Sequence, residues 1–87
     1  MNTKEINKQE LKELLQKILL KNLTVKITMN DETETVYVGE ILEVKPLKVV
    51  MKISNFERRI YVEETILYSK ISKVETSNYT YFHLDCK

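Results

Sequence analysis

Apolar positions recur along this chain with two periods, and the period changes at Leu23. Upstream, Leu11, Leu14, Leu15, Ile18 and Leu19 keep the spacing that gathers side chains on one face of a helix. Downstream, Leu23, Val25, Ile27 and Met29 alternate with Thr24, Lys26 and Thr28, the signature of a half-buried strand. The predicted helix covers residues 8–21. Its start is marked by Asn7 and Glu10, a capping-box pair in which each side chain satisfies a backbone N–H that the helix leaves free. Ile6 and Leu11 are spaced for a hydrophobic staple across that cap. Asn2 and Glu5 repeat the spacing, so a start near residue 3 is a second option. Glu10 and Glu13 lie toward the positive end of the helix dipole, Lys17 and Lys21 toward the negative end. Asn22 is a plausible stop.

The rest of the chain reads as strands and turns. Polar, acidic residues 30–34 form the first turn, and a strand follows from Thr35 to about Val44. Val36 and Val38 share one face of it, but the later apolar residues are Ile41, Leu42 and Val44. The phase slips at Gly39, the only glycine, which suggests a bulge or sharp bend where a side chain would clash. Pro46 breaks the strand, because proline cannot donate to a ladder. Leu47, Val49, Met51 and Ile53 then alternate with Lys48, Val50, Lys52 and Ser54. A fourth strand is expected from Arg59 to Val62, an interruption at Glu63-Glu64, and a fifth from Thr65 to Ser69 that continues toward Val74. Tyr79 to Leu84 has the β-propensity of a sixth strand or an ordered tail. Short strands at regular spacing, one of them bent at a glycine, predict an α+β, mainly β fold. In it an N-terminal helix precedes a small, strongly bent antiparallel barrel.

Length and charge sharpen this picture. The 87 residues allow one domain, with the helix in 1–22, the barrel in 23–75 and a C-terminal strand or tail in 76–87. So small a domain buries a thin core, and its strands must end in edges, so self-association into a homo-oligomer is expected. Cys86 is the single cysteine and cannot form an internal disulfide. No apolar run is long enough to span a bilayer, and the charged N-terminus lacks a signal-peptide core. A cytoplasmic location and no membrane contact are expected.

Certain stretches invite comparison with known families. The order of a helix and five bent strands, with Leu23-Thr24-Val25-Lys26-Ile27-Thr28 as first strand and Val38-Gly39-Glu40-Ile41 as a glycine-centred second, resembles the Sm-like fold, including the Hfq-like RNA chaperones. Ile60-Tyr61-Val62 through Ile66 looks like the paired strands that join subunits of that family into rings, with Glu63-Glu64 as the short turn between them. Residues 22–74 are also similar to the YolD-like proteins of Gram-positive bacteria and their phages. The first resemblance implies a ring that holds RNA. The second implies a DNA-repair accessory beside a translesion polymerase.

The side chains offer little catalytic chemistry. His83 is the only histidine and has no nucleophile in a recognisable motif beside it. With Asp85 and Cys86 it would make a poor metal site, since neighbours on a strand point to opposite faces, and an ordinary tail is the plainer reading. Glu63-Glu64 reads as a solvated turn rather than an acid–base pair. One glycine excludes a glycine-rich phosphate loop. No enzyme activity, cofactor or metal is expected.

Charge is segregated although the net charge is only +1. Asp31, Glu32, Glu34, Glu40 and Glu43 have no base among them. Lys45, Lys48, Lys52, Arg58 and Arg59 have only Glu57 for company. Lys48 and Lys52 fall on the polar face of one strand and Arg59 can join them, a pattern able to follow a phosphate backbone, with Tyr61 placed to stack on a base. A solvated face that protects an edge strand reads equally simply from the same residues. Tyr79, Tyr81 and Phe82 are either a partner-binding strand or a segment packed on the protein's own barrel. Two functions follow. One is a non-enzymatic accessory module acting on nucleic acid or on a nucleic-acid enzyme such as a polymerase. The alternative is a phage or mobile-element interaction module that inhibits or regulates a host protein.

Overall fold

The computed structural model describes residues 2–55 and 60–85. Its order is β1 (Asn2–Ile6), α1 (Lys8–Lys21), β2 (Thr24–Met29), β3 (Val36–Val44), β4 (Lys48–Asn55), β5 (Ile60–Leu67), a 3₁₀ turn (Tyr68–Lys70), β6 (Ile71–Glu75) and β7 (Tyr79–His83). Helix α1 has the predicted bounds. Asn7 Oδ1 accepts from Glu10 N–H at 2.9 Å, and Glu10 Oε1 accepts from Asn7 N–H at 3.1 Å. Asn22 closes the helix in the left-handed region, φ 53°, a conformation asparagine tolerates. Leu11, Leu15 and Ile18 are buried, and Ile6 joins them across the cap.

All seven strands form one sheet in the order β1-β7-β6-β2-β3-β4-β5. Its edges are β1 and β5. Strands β2 to β6 are antiparallel to their neighbours, and β6 returns to pair with β2. The strands that follow the helix pair antiparallel as expected; the unexpected one is β1, ahead of the helix, which runs parallel to β7. Residues 2–6 are therefore a strand and not an early helical turn. Leu84 N–H donates to Ile6 O at 2.8 Å, and Lys8 N–H to Asp85 Oδ2 at 2.7 Å. These bonds fasten the segment where a helix start at residue 3 would have left it. The Asp85 carboxylate also faces the positive end of α1, which favours it.

The core lies between α1 and the concave side of the sheet. Val25, Ile27, Ile41, Val49, Met51, Ile66, Ile71 and Val74 meet the helix stripe there, together with Tyr68. The Tyr68 hydroxyl donates to Lys45 O, which ties the 3₁₀ turn to the bend at Pro46. The side-chain clash expected at Gly39 is present, but the bulge is not at this residue. A Cβ at this position would stand 2.1 Å from Lys52 O, so the glycine permits a close approach of β3 to β4. The register shift falls after it, between Ile41 and Glu43, and Leu42 is the extra residue.

Residues 60–67 are one continuous strand. Glu63 pairs with Lys52 and Glu64 with Met51, so the expected turn at Glu63-Glu64 does not exist. Two charges fit mid-strand because β5 is a sheet edge, where one side of the backbone faces solvent. The break comes later, at the 3₁₀ turn. The joining strands expected within residues 60–66 are thus a single strand, and the outer edge of β6 is covered by β7.

Candidate functional site

Pairing β3 with β4 undoes the charge segregation of the sequence. The acidic stretch lies on one strand and the basic stretch on its neighbour, so they interleave. Glu40 sits opposite Lys52, which has Glu63 opposite on its other side. Glu43 reaches Lys45 at 3.9 Å. Of the predicted basic face, Lys48, Lys52 and Tyr61 do come together on the solvent side of the sheet. The Lys52 ammonium lies 4.1 Å from the centroid of the Tyr61 ring, a cation–π contact. Tyr61 is 66% exposed. Lys48 is exposed on the same side, opposite Leu67. Arg59 lies outside the described residues. The face is therefore an open aromatic with one lysine over it and another farther along, flanked by carboxylates. Val36 and Val38 also turn outward here.

The aromatic segment divides between two faces. Tyr79 and Tyr81 point to the helix side of β7 and stack, with centroids 5.8 Å apart and planes at 28°. Tyr81 packs against the core, while Tyr79 stays exposed. Phe82 stands on the opposite, solvent side. The two tyrosines line a groove of about 320 Å³ between β7 and the last turns of α1, with Leu14, Lys17, Ile18, Lys21, Leu23 and the 76–78 turn. That turn is fixed by Thr76, whose backbone N–H donates to Tyr79 O at 2.9 Å and whose hydroxyl accepts from Tyr79 N–H at 3.2 Å. Sequence patterning placed Lys17 and Lys21 only as helix-end charges. Nothing local signals that they share a groove with the tyrosines, because the groove is tertiary.

His83 is not part of an ordinary tail. It is 4% exposed on β7, with Nδ1 2.8 Å from Ile71 O, so that nitrogen carries the proton in a hydrogen bond to the carbonyl. Asp85 is committed to the start of α1, and Cys86 lies outside the described residues. Among those described, no three His, Cys, Asp or Glu side chains converge as a metal site would require. The 31–35 turn is also self-contained. The Asp31 carboxylate accepts from Thr35 N–H at 2.9 Å and from the Thr35 hydroxyl at 2.8 Å. The Thr35 backbone N–H first, and its hydroxyl second, hold the Asp31 carboxyl below its ordinary range.

Among the described residues, no helix is long and apolar enough to cross a membrane. No family model, no curated protein and no solved structure matches the chain.

Proposed function

We propose that this chain is a non-enzymatic binding module, a small Sm-like barrel in architecture, that engages nucleic acid or an enzyme acting on it, as a YolD-like repair accessory or an Sm-like RNA binder would. The return of β6 onto β2 after the four successive antiparallel strands β2 to β5 supports the barrel reading. The observation that carries the function is the Lys52–Tyr61 pair: a largely open aromatic ring on a sheet face, held beneath an ammonium group. An open ring offers stacking to any base, and a nearby cation offers a partner to phosphate. Because Glu40 and Glu63 flank Lys52, few charges are free for phosphate, and stacking carries most of the contact. Binding should then favour single strands. With about two phosphates neutralised, the slope of log K against log salt is shallow, roughly −1.4.

The test is a titration of labelled single- and double-stranded DNA and RNA at low salt, with wild type and Tyr61→Ala. Stacking loss predicts weakening by ~5- to 150-fold on single strands. Absence of binding to all four probes overturns the reading. A second reading, a module that regulates a host or polymerase protein, is favoured by the open edge of β5. That edge carries exposed Tyr61, Val62 and Leu67 and can accept an added strand. It becomes the leading one if nucleic acid does not bind and a single protein partner co-purifies.

A further inference from the structure

We propose that the groove between α1 and β7 is a binding site for single-stranded nucleic acid, with phosphates on Lys17 and Lys21 and a base stacked on Tyr79. The proposal rests on the nucleic-acid reading above and assigns it a second, separate surface.

Charge selects the occupant. The groove's lining holds two lysines and no carboxylate. The ion pairs among the described residues are Lys26–Glu75, Lys45–Glu43 and Lys73–Glu75, so neither groove lysine is committed. Lys52 makes no ion pair either, but it lies between two glutamates on the neighbouring strands and over the Tyr61 ring. Lys17 and Lys21 stand one helical turn apart on the same face, a spacing that lets both ammonium groups meet a backbone running along the helix. The helix dipole opposes an anion at this end. Its local expression is muted here, because Ile18 O accepts from Leu23 N–H and Leu19 O accepts from Asn22 N–H.

Shape selects a base rather than a simple anion. Tyr79 is exposed while its other face is braced by Tyr81, so the ring is already oriented and little side-chain entropy is lost on stacking. Leu14 and Leu23 supply apolar wall, and the 76–78 turn supplies polar groups at the lip. A volume of about 320 Å³ is at the small end of ligand sites. It admits one base and its sugar but not a duplex, whose bases are stacked on each other.

The experiment titrates a labelled twelve-nucleotide thymidine oligomer, the matching uridine oligomer, a duplex and tripolyphosphate with four proteins. These are wild type, Lys17→Glu/Lys21→Glu, Tyr79→Ala and Tyr79→Phe. Circular dichroism confirms that each is folded, and Tyr79→Phe keeps the ring should Tyr79→Ala not fold. The expected result is single-strand binding that the charge reversal weakens at least tenfold, with the salt dependence reduced to the shallow slope of the Lys52–Tyr61 face. Tyr79→Ala should weaken it by ~5- to 150-fold, and Tyr79→Phe should retain it. Tripolyphosphate binding as tight as the oligomer's overturns the role of the base. Oligomer binding by wild type that the groove variants keep within twofold overturns the groove and leaves the broader reading standing. No binding by wild type to any oligomer overturns both.

Discussion

Replacing Gly39 with alanine tests whether the close approach of β3 to β4 is what shapes the sheet. The added Cβ would meet Lys52 O at 2.1 Å, with Lys52 C at 3.0 Å and Ile53 Cα at 3.2 Å. All three are backbone atoms, so no rotamer change relieves the clash. The strands must part by on the order of 1 Å to reach ordinary contact, which stretches the adjacent ladder bonds beyond hydrogen-bonding range. Losing one or two such bonds costs roughly 1–3 kcal/mol, and strain in the packed strands adds about 1–3 kcal/mol. Restricting the unfolded chain returns about 0.4–1 kcal/mol. The net is a destabilisation of ~2–5 kcal/mol, against a total of ~4–13 kcal/mol for a domain of this size. Thermal unfolding followed by circular dichroism should show Tm falling by roughly 10–30 °C. Glu40→Ala, on the solvent face beside it, is the control and should shift Tm by only a few degrees. A Gly39→Ala protein that melts within about 3 °C of wild type would refute the argument and return Gly39 to the role of an ordinary strand residue.

Two pH effects follow from hydrogen bonds in the structure. Burial raises the Tyr68 phenol above its ordinary value of 10.0, and the hydrogen bond it donates to Lys45 O exists only in the protonated form. Its contribution to stability is complete below pH 10.0 and is lost as pH rises through the folded value. Urea midpoints from neutral to alkaline pH should therefore fall more steeply for wild type than for Tyr68→Phe, which should also lose about 1–2 kcal/mol at neutral pH. Equal alkaline slopes would count against a buried phenol. Asp31 works in the opposite sense. Its carboxyl is lowered from 3.8 by the Thr35 donors, so the order it lends the 31–35 turn is present above that value and is lost as pH falls through the folded one. Acid titration by NMR should move the Thr35 amide signal with the Asp31 carboxyl, and Asp31→Asn should leave it still.

The helix and most strands were legible because their signals are local. A reciprocal cap, a stripe at helical spacing and strict alternation in residues 23–29 and 47–53 each follow from the geometry of one element. Where the reading went astray, the deciding fact lay in another part of the chain. Residues 2–6 carry one buried side chain, Ile6, too little for a strand signal, and become a strand only because β7 lies alongside. Glu63-Glu64 resembles a turn by composition and sits in a strand because that strand is an edge. At Gly39 the phase slip signals that a side chain would clash, but that the clash is with the Lys52 carbonyl follows only from the pairing of β3 with β4. The candidate sites divided in the same way. Lys52 and Tyr61 meet, and Lys48 shares their face, as strand alternation requires. The carboxylates that flank Lys52 come from the strands on either side of it, and the lysines that face Tyr79 come from the helix. Neither set of neighbours can be found without the register.

The parallel pairing of β1 with β7 also has a kinetic meaning. Asn2 pairs with Tyr79 and Ile6 with His83, so this ladder joins the most distant segments of the described chain, and closing so long a loop early would be entropically expensive. Once α1 has docked, Asn7 is the only residue between β1 and a fixed helix, and the remaining search is that of a short arm on a hinge. β1 should thus be the last strand to zip up and the first to fray, with its amides exchanging well before those of β2 and β4. While it is away, β7 presents an open edge. The β1 arm of a second copy fits there as well as the protein's own, so at high concentration Asn7 is the point about which two molecules would exchange strands.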